Sequence, residues 1–305
     1  MTILGKSSTR TVLAITAIGL SLAFLGTRIA GDPTTGELLS HFPPQVLLIA
    51  VIASLPMYWL KASYHASIVH SLDPHTFDRP RVIAVYLQAQ LVRYLPGKVW
   101  GLVYQSGQMA NRHAPSIIIT ANFVQTLTTN VMAAFLILAL AGSVLAHPAL
   151  LLLLLAGLLA PEWLHRAPGL WATLARTTAR WLPALGAAGT PGPAAPIRWS
   201  GTAMLASEWF FYFLMFFVLV GDRCPLWAVI FTGTWYACAS LLSMFAVVVP
   251  AGLAVREALF VASPAQSALS ATELVVLAVT LRLLSIVAEL LVASAAAVWL
   301  RISRK

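Results

Sequence analysis

Arg93-Tyr94-Leu95-Pro96-Gly97-Lys98-Val99-Trp100-Gly101 decides how the rest of the chain is read. It sits inside an apolar stretch from Ile83 to Met109. Two cations, a Pro-Gly pair and two aromatics stand where an uninterrupted helix would be expected. Pro96 removes a backbone donor and clashes with the preceding turn. Gly97 permits backbone angles that other residues avoid. The stretch therefore predicts a half-helix ending near Tyr94, a break, and a second half-helix starting near Lys98. In lipid, broken backbone survives only where protein or a wet cavity surrounds it. A cation there calls for a partner or a ligand.

The surroundings are those of a membrane protein. The chain has 305 residues, 59% hydrophobic and 10% charged. Soluble domains carry about a quarter charged residues, so the composition predicts an all-α, polytopic membrane helix bundle. The net charge of +9 fits cytoplasmic loops facing anionic lipid, and it is not read as nucleic-acid binding. Cys224 and Cys238 offer neither metal spacing nor a disulfide framework. No cofactor or metal is expected.

Taken in order, the expected spans are Thr11 to Thr27, Pro44 to Leu60, Pro115 to Val144, His147 to Leu164, Trp199 to Val220, Pro225 to Val249 and Thr272 to Leu300. The loop from Lys61 to Arg81 holds His65, His70 and His75. Their spacing of five matches neither a helical face nor a zinc pattern, so a solvated loop is expected. Residues 165–198 carry Arg166, Arg176, Arg180 and Arg198, with Trp171, Leu174 and Leu182 among them. That is an amphipathic surface helix followed by a Gly-Pro-Ala linker.

Positive residues set the orientation. With the N-terminus cytoplasmic, the inner loops hold Lys6, Arg10, Lys61, Arg79, Arg81, Arg112 and the arginines of 165–198, and the outer loops hold Arg28 and Arg223. This works only if residues 83–109 enter and leave on the cytoplasmic side as a re-entrant segment. A basic tail inside needs an eighth crossing, which residues 250–262 supply, so seven or eight crossings are expected. The layout is a single membrane domain. A first half, 1–164, contains the re-entrant segment. A second half, 199–305, contains a second break, Pro250-Ala251-Gly252-Leu253-Ala254-Val255-Arg256-Glu257. Paired interruptions in two halves point to a transport site and to a possible inverted repeat.

These two motifs together resemble the lysylphosphatidylglycerol synthase transmembrane-region family, the flippase-like membrane domain, over nearly the whole chain. The first motif is the more specific. In the second, Ala251 and Ala254 stand where the family usually has glycine. The soluble aminoacyl-transferring domain of some members has no counterpart before Lys305. The resemblance implies a translocating domain of the bacterial inner membrane and argues against lysyl transfer.

An anionic lipid head group is the expected ligand. Free backbone donors and the positive end of the half-helix after the break would face it, together with Arg93 and Lys98. Arg256 adds a third cation, with Glu257 as its resting partner. Tyr94, Trp100 and Tyr104 would flank the lipid, and Pro96 and Gly97 shape the break. Arg282 and Glu289, seven apart, share a helix face. Arg282 is a further substrate-binding candidate. Glu208 and Glu289 are candidates for proton coupling or structural pairing, with Arg256 or Arg282 as the partners offered to Glu208. Gln125, Thr129 and Asn130 read as helix–helix glue.

Two rival functions remain open from sequence. One is a membrane-embedded glycosyl or aminoacyl transferase, against which no catalytic constellation is found; Asp73 and Asp78 are the nearest loop acids. The other is an accessory subunit that stabilises a partner glycosyltransferase or synthase, docking through Arg166 to Arg180.

Overall fold

The computed structural model describes residues 42–75, 77–92, 100–167, 169, 173, 199–244, 255–262 and 267–302. Among these there are helices and turns and no strand. The helices are α1 (Pro44–Leu72), α2 (Arg79–Val92), α3 (Trp100–Met109), α4 (Pro115–Leu145), α5 (Leu153–His165), α6 (Ser200–Val220), α7 (Leu226–Ser243), α8 (Val255–Val261) and α9 (Ala271–Ile302). A 3-10 turn, Pro148–Leu152, leads into α5. Among the described residues, six helical stretches are long and apolar enough to cross a membrane: α1, α4, the turn with α5, α6, α7 and α9. The chain is an all-α polytopic membrane helix bundle. The expected first span, Thr11 to Thr27, and residues 174–198 of the basic loop lie outside the described residues.

Local chemistry sets the helix ends. Proline stands at the start of α1 and α4 and caps α7, positions where a missing N–H costs nothing. Ser270 and Glu273 form a capping box on α9. The Ser270 N–H donates to Glu273 Oε2 at 2.7 Å, and the Glu273 N–H donates to Ser270 Oγ at 3.2 Å.

One end moves. The sequence reading closes the second span at Leu60 because Lys61 and three histidines follow. The helix instead runs on to Leu72. The expected solvated loop is corrected accordingly: His65 is buried within α1, and His70 lies on α1 against the Phe77 ring, centroids 4.5 Å apart. The polar side chains are satisfied by other helices, so they do not end this one.

The described residues form two compact units. One comprises α1 through Ser54, α6 from Phe211, α7, α8 and α9 through Ala288. Its core is aromatic and aliphatic, with Phe216, Phe260, Leu219, Val229, Leu277 and Leu281 fully covered. The other comprises the rest of α1, α2 to α5, α6 through Phe210, and α9 from Glu289. Tyr64, Ile68, Val82, Met109, Ile118 and Leu205 are central to it.

Within the second unit α4 and α5 run antiparallel at close approach. A Cβ on Gly142 would lie 2.8 Å from Leu150 Cδ1, and one on Gly157 would lie 2.9 Å from Phe135 Cβ. Small residues let membrane helices come this near.

Candidate functional site

Within the stretch from Ile83 to Met109 the structure describes two helices, α2 and α3, packed side by side; residues 93–99, where the sequence places the break, lie outside the described residues. Their pairing is antiparallel. Arg81 Nη2 donates to the Gln108 carbonyl at 3.4 Å, at one end. Tyr104 donates to Gln88 Oε1 at 2.5 Å further along. A Cβ on Gly101 would lie 3.5 Å from the Ala89 carbonyl. The segment therefore doubles back, with residues 93–99 joining the two legs in sequence. At 1.5 Å per residue, 14 and 10 residues make legs of about 21 and 15 Å, against a hydrocarbon core of about 30 Å.

Protein encloses the longer leg. Val82, Ile83, Ala84, Val85, Tyr86 and Leu87 are all buried. Six successive positions point all round a helix, so α2 has no lipid-facing side. Gln105 and Asn122 exchange amide hydrogen bonds at 3.1 and 3.4 Å, tying the short leg to α4.

The foot of this hairpin is closed by ion pairs. His113 Nδ1 donates to Asp73 Oδ2 at 2.8 Å, and Arg112 pairs with Asp78 at 3.2 Å. Asp78 also accepts from the Arg81 N–H at the start of α2. The two loop acids that sequence left as possible catalytic groups are thus held by neighbours.

Of the substrate-binding candidates, Arg93, Tyr94, Pro96, Gly97 and Lys98 lie outside the described residues. Trp100 opens α3 and is well exposed, and Tyr104 is half-buried against Gln88.

In the other unit α7 and α8 pack against each other. Trp235 Nε1 donates to the Leu259 carbonyl at 3.2 Å, and the Tyr236 and Phe260 rings meet edge to face at 5.0 Å. Pro250 to Ala254, the heart of the second break, lies outside the described residues. The end of that motif is visible. Arg256 Nε and Nη2 both donate to Glu257 Oε1, at 3.2 and 2.8 Å. The guanidinium stands 4.9 Å from the centre of the Tyr236 ring. The resting pair expected from sequence is therefore formed, with a cation–π contact added.

Sequence reasoning missed a ladder of polar contacts along α1. Tyr58 donates to Glu289 on α9 at 3.3 Å. Lys61 pairs with Glu208 on α6 at 3.4 Å. The Tyr64 hydroxyl and His165 Nε2, at the end of α5, share a hydrogen bond of 2.6 Å. His65 Nδ1 donates to Gln125 Oε1 on α4 at 2.9 Å, and Gln125 Nε2 donates to the Lys61 carbonyl at 3.0 Å. Positions 58, 61 and 65 are three and four apart and share a stripe, with 64 beside it. Extending the helix past Lys61 would have shown that stripe.

Two expectations change with it. Glu208 is partnered by Lys61, where sequence offered Arg256 or Arg282, because α1 carries Lys61 into the bundle. Gln125 is the helix–helix glue expected, whereas Thr129 bonds back to the Gln125 carbonyl on its own helix. Arg282 is half-buried on α9, and Glu289 is fully buried.

Among the described residues no cluster of three or more metal-ligating side chains occurs. Cys224, between α6 and α7, is buried, and burial raises its thiol pKa, as for an unreactive packed cysteine. In one unit α2 and α3 flank the Arg93 to Val99 motif in sequence, and in the other α7 and α8 flank the Pro250 to Ala254 motif. No protein-family model, curated protein or solved structure matches the chain.

Proposed function

We propose that this chain is a flippase-like transporter of the bacterial inner membrane, N-terminus cytoplasmic, that moves a lipid with an anionic or phosphate-bearing head group. The observation that carries the reading is the α2–α3 hairpin. Each leg is too short to cross the membrane, the longer leg is enclosed by protein, and the connecting sequence is Arg93-Tyr94-Leu95-Pro96-Gly97-Lys98-Val99. Such segments in transporters offer helix ends and cations to anionic groups.

In this reading Arg93 and Lys98 hold the head group, Arg256 contributes from the second break, and Trp100, Tyr94 and Tyr104 flank the lipid. Arg282 is a further contact. The membership implied by the motifs, in the lysylphosphatidylglycerol synthase transmembrane-region family, fits a translocating role. Transport needs no covalent step, and the engagement of Asp73 and Asp78 in ion pairs supports a non-enzymatic reading.

The test is lipid scrambling in proteoliposomes, with labelled phosphatidylglycerol and phosphatidylcholine as probes. Wild type is expected to move the anionic probe, and Arg93→Ala and Lys98→Ala to lose that activity while remaining monodisperse. Movement of neither probe, or equal movement by the variants, overturns the reading.

A further inference from the structure

We infer that Glu257 is a proton-binding group coupled to Arg256, so that the site takes up a proton with each anionic head group it binds. The inference rests on the transport reading and supplies its energy source.

The pair is lopsided. The Arg256 side chain is 15% exposed and the Glu257 side chain 4%. Both guanidinium contacts fall on one carboxylate oxygen, Oε1. The other, Oε2, is buried with no hydrogen-bond partner among the described residues. Glu257 is therefore engaged through one oxygen and by one cation. Among the described residues, the titratable groups facing the pair from the helices packed against it are Tyr236 on α7 and Tyr212 on α6. Both are phenols, and Tyr212 is engaged as a donor to the Gly233 carbonyl at 2.8 Å. Neither supplies a cation to replace Arg256.

A phosphate arriving at Arg256 competes with Glu257 for the guanidinium fork, the geometry in which arginine binds carboxylate and phosphate alike. Arg256 is the more exposed partner, so it is the one that turns to the ligand. Glu257 stays behind in an apolar setting without its cation. A buried carboxylate in that position takes up a proton, since burial disfavours its charged form. The proton comes from solvent and binds at the free oxygen; nothing else changes in the balance. By linkage, a bound state that holds an extra proton binds its anion more weakly as pH rises. A proton gradient then drives head-group movement.

The experiment is calorimetric titration of the purified chain in detergent with dihexanoyl-phosphatidylglycerol. This phosphodiester has no group titrating near neutral pH and no ammonium to satisfy Glu257. Two buffers of different ionisation enthalpy at one pH give the proton count. The expected result is about one proton taken up per bound anion in wild type, and near none in Glu257→Gln with binding retained. The affinity of wild type should also fall about tenfold per pH unit over the range in which Glu257 is charged in the free protein and protonated in the bound one, a readout that does not depend on the variant folding. Binding without proton uptake, or equal uptake by Glu257→Gln, overturns the inference and leaves the transport reading standing. No binding of the probe by wild type overturns both.

Discussion

The carboxylate of Asp73 holds the ring of His113 at 2.8 Å, joining the end of α1 to the turn before α4 at the foot of the re-entrant hairpin. The His113 side chain is wholly covered, whereas the nearby Arg112–Asp78 pair is part exposed on both sides. Burial should separate them. Asp73→Ala is expected to lower stability by about 1–3 kcal/mol, because it strips a buried ring nitrogen of its partner. Arg112→Ala, which removes the exposed pair and leaves Asp78 bonded to the Arg81 N–H, should cost under about 1 kcal/mol, as exposed pairs do. Thermal unfolding in detergent, followed by tryptophan fluorescence, reads both. Equal losses would show that the foot is held by something other than the buried pair.

Lys61 and Glu208 meet within the second unit, Lys61 the more exposed of the two. Lys61→Met leaves a largely covered carboxylate without this cation, and a loss on the order of 1–3 kcal/mol is expected. Adding Glu208→Gln should restore most of it, since removing both charges removes the desolvation problem. A double-mutant cycle in melting temperature measures the coupling. Additive losses would mean that the contact carries no energy of its own.

The apolar runs of the spans were legible because each is local. Composition and length suffice to read them. The course of α1 beyond Leu60 was not legible. Lys61 and His65 look like the start of a polar loop, and the groups that satisfy them, Glu208 and Gln125, are far along the chain. Helix propensity and hydropathy carry no record of such distant partners. For the same reason the sequence named Glu208 as in need of a partner but offered the wrong cation.

Gly142 sits where α4 meets the turn leading into α5, and Gly157 where α5 itself meets α4, yet their substitution should differ. A Cβ on Gly157 would meet Phe135 Cβ at 2.9 Å, an atom fixed to the backbone. A Cβ on Gly142 would meet Leu150 Cδ1 at 2.8 Å, the far end of a side chain that can turn aside. Gly157→Ala should therefore destabilise by about 1–3 kcal/mol, through forced separation of the helices. Gly142→Ala should cost clearly less. Melting temperatures of the two variants, side by side, decide it; the reverse order would mean that the helix pair adjusts at Phe135 and not at Leu150.

The hairpin itself makes a prediction that a continuous helix cannot meet. Residues 89 and 101 face each other across the legs, the Ala89 carbonyl 3.5 Å from where a Gly101 side chain would begin. In one unbroken helix the same residues, twelve apart, would be separated by about 18 Å. A disulfide needs Cα atoms within about 7 Å. In a background of Cys224→Ala and Cys238→Ala, the pair Ala89→Cys and Gly101→Cys should cross-link within one chain when native membranes are treated with copper phenanthroline. Arg79→Cys and Arg112→Cys, at the two feet, should be labelled by an impermeant maleimide from the same side. Cross-linking with same-side labelling is the signature of a segment that enters and returns. Absence of the cross-link, with the feet labelled from opposite sides, would make Arg79 to Met109 a full crossing, and would place the arginines of residues 166–180 on the outer face, against the charge rule that orients the rest of the chain.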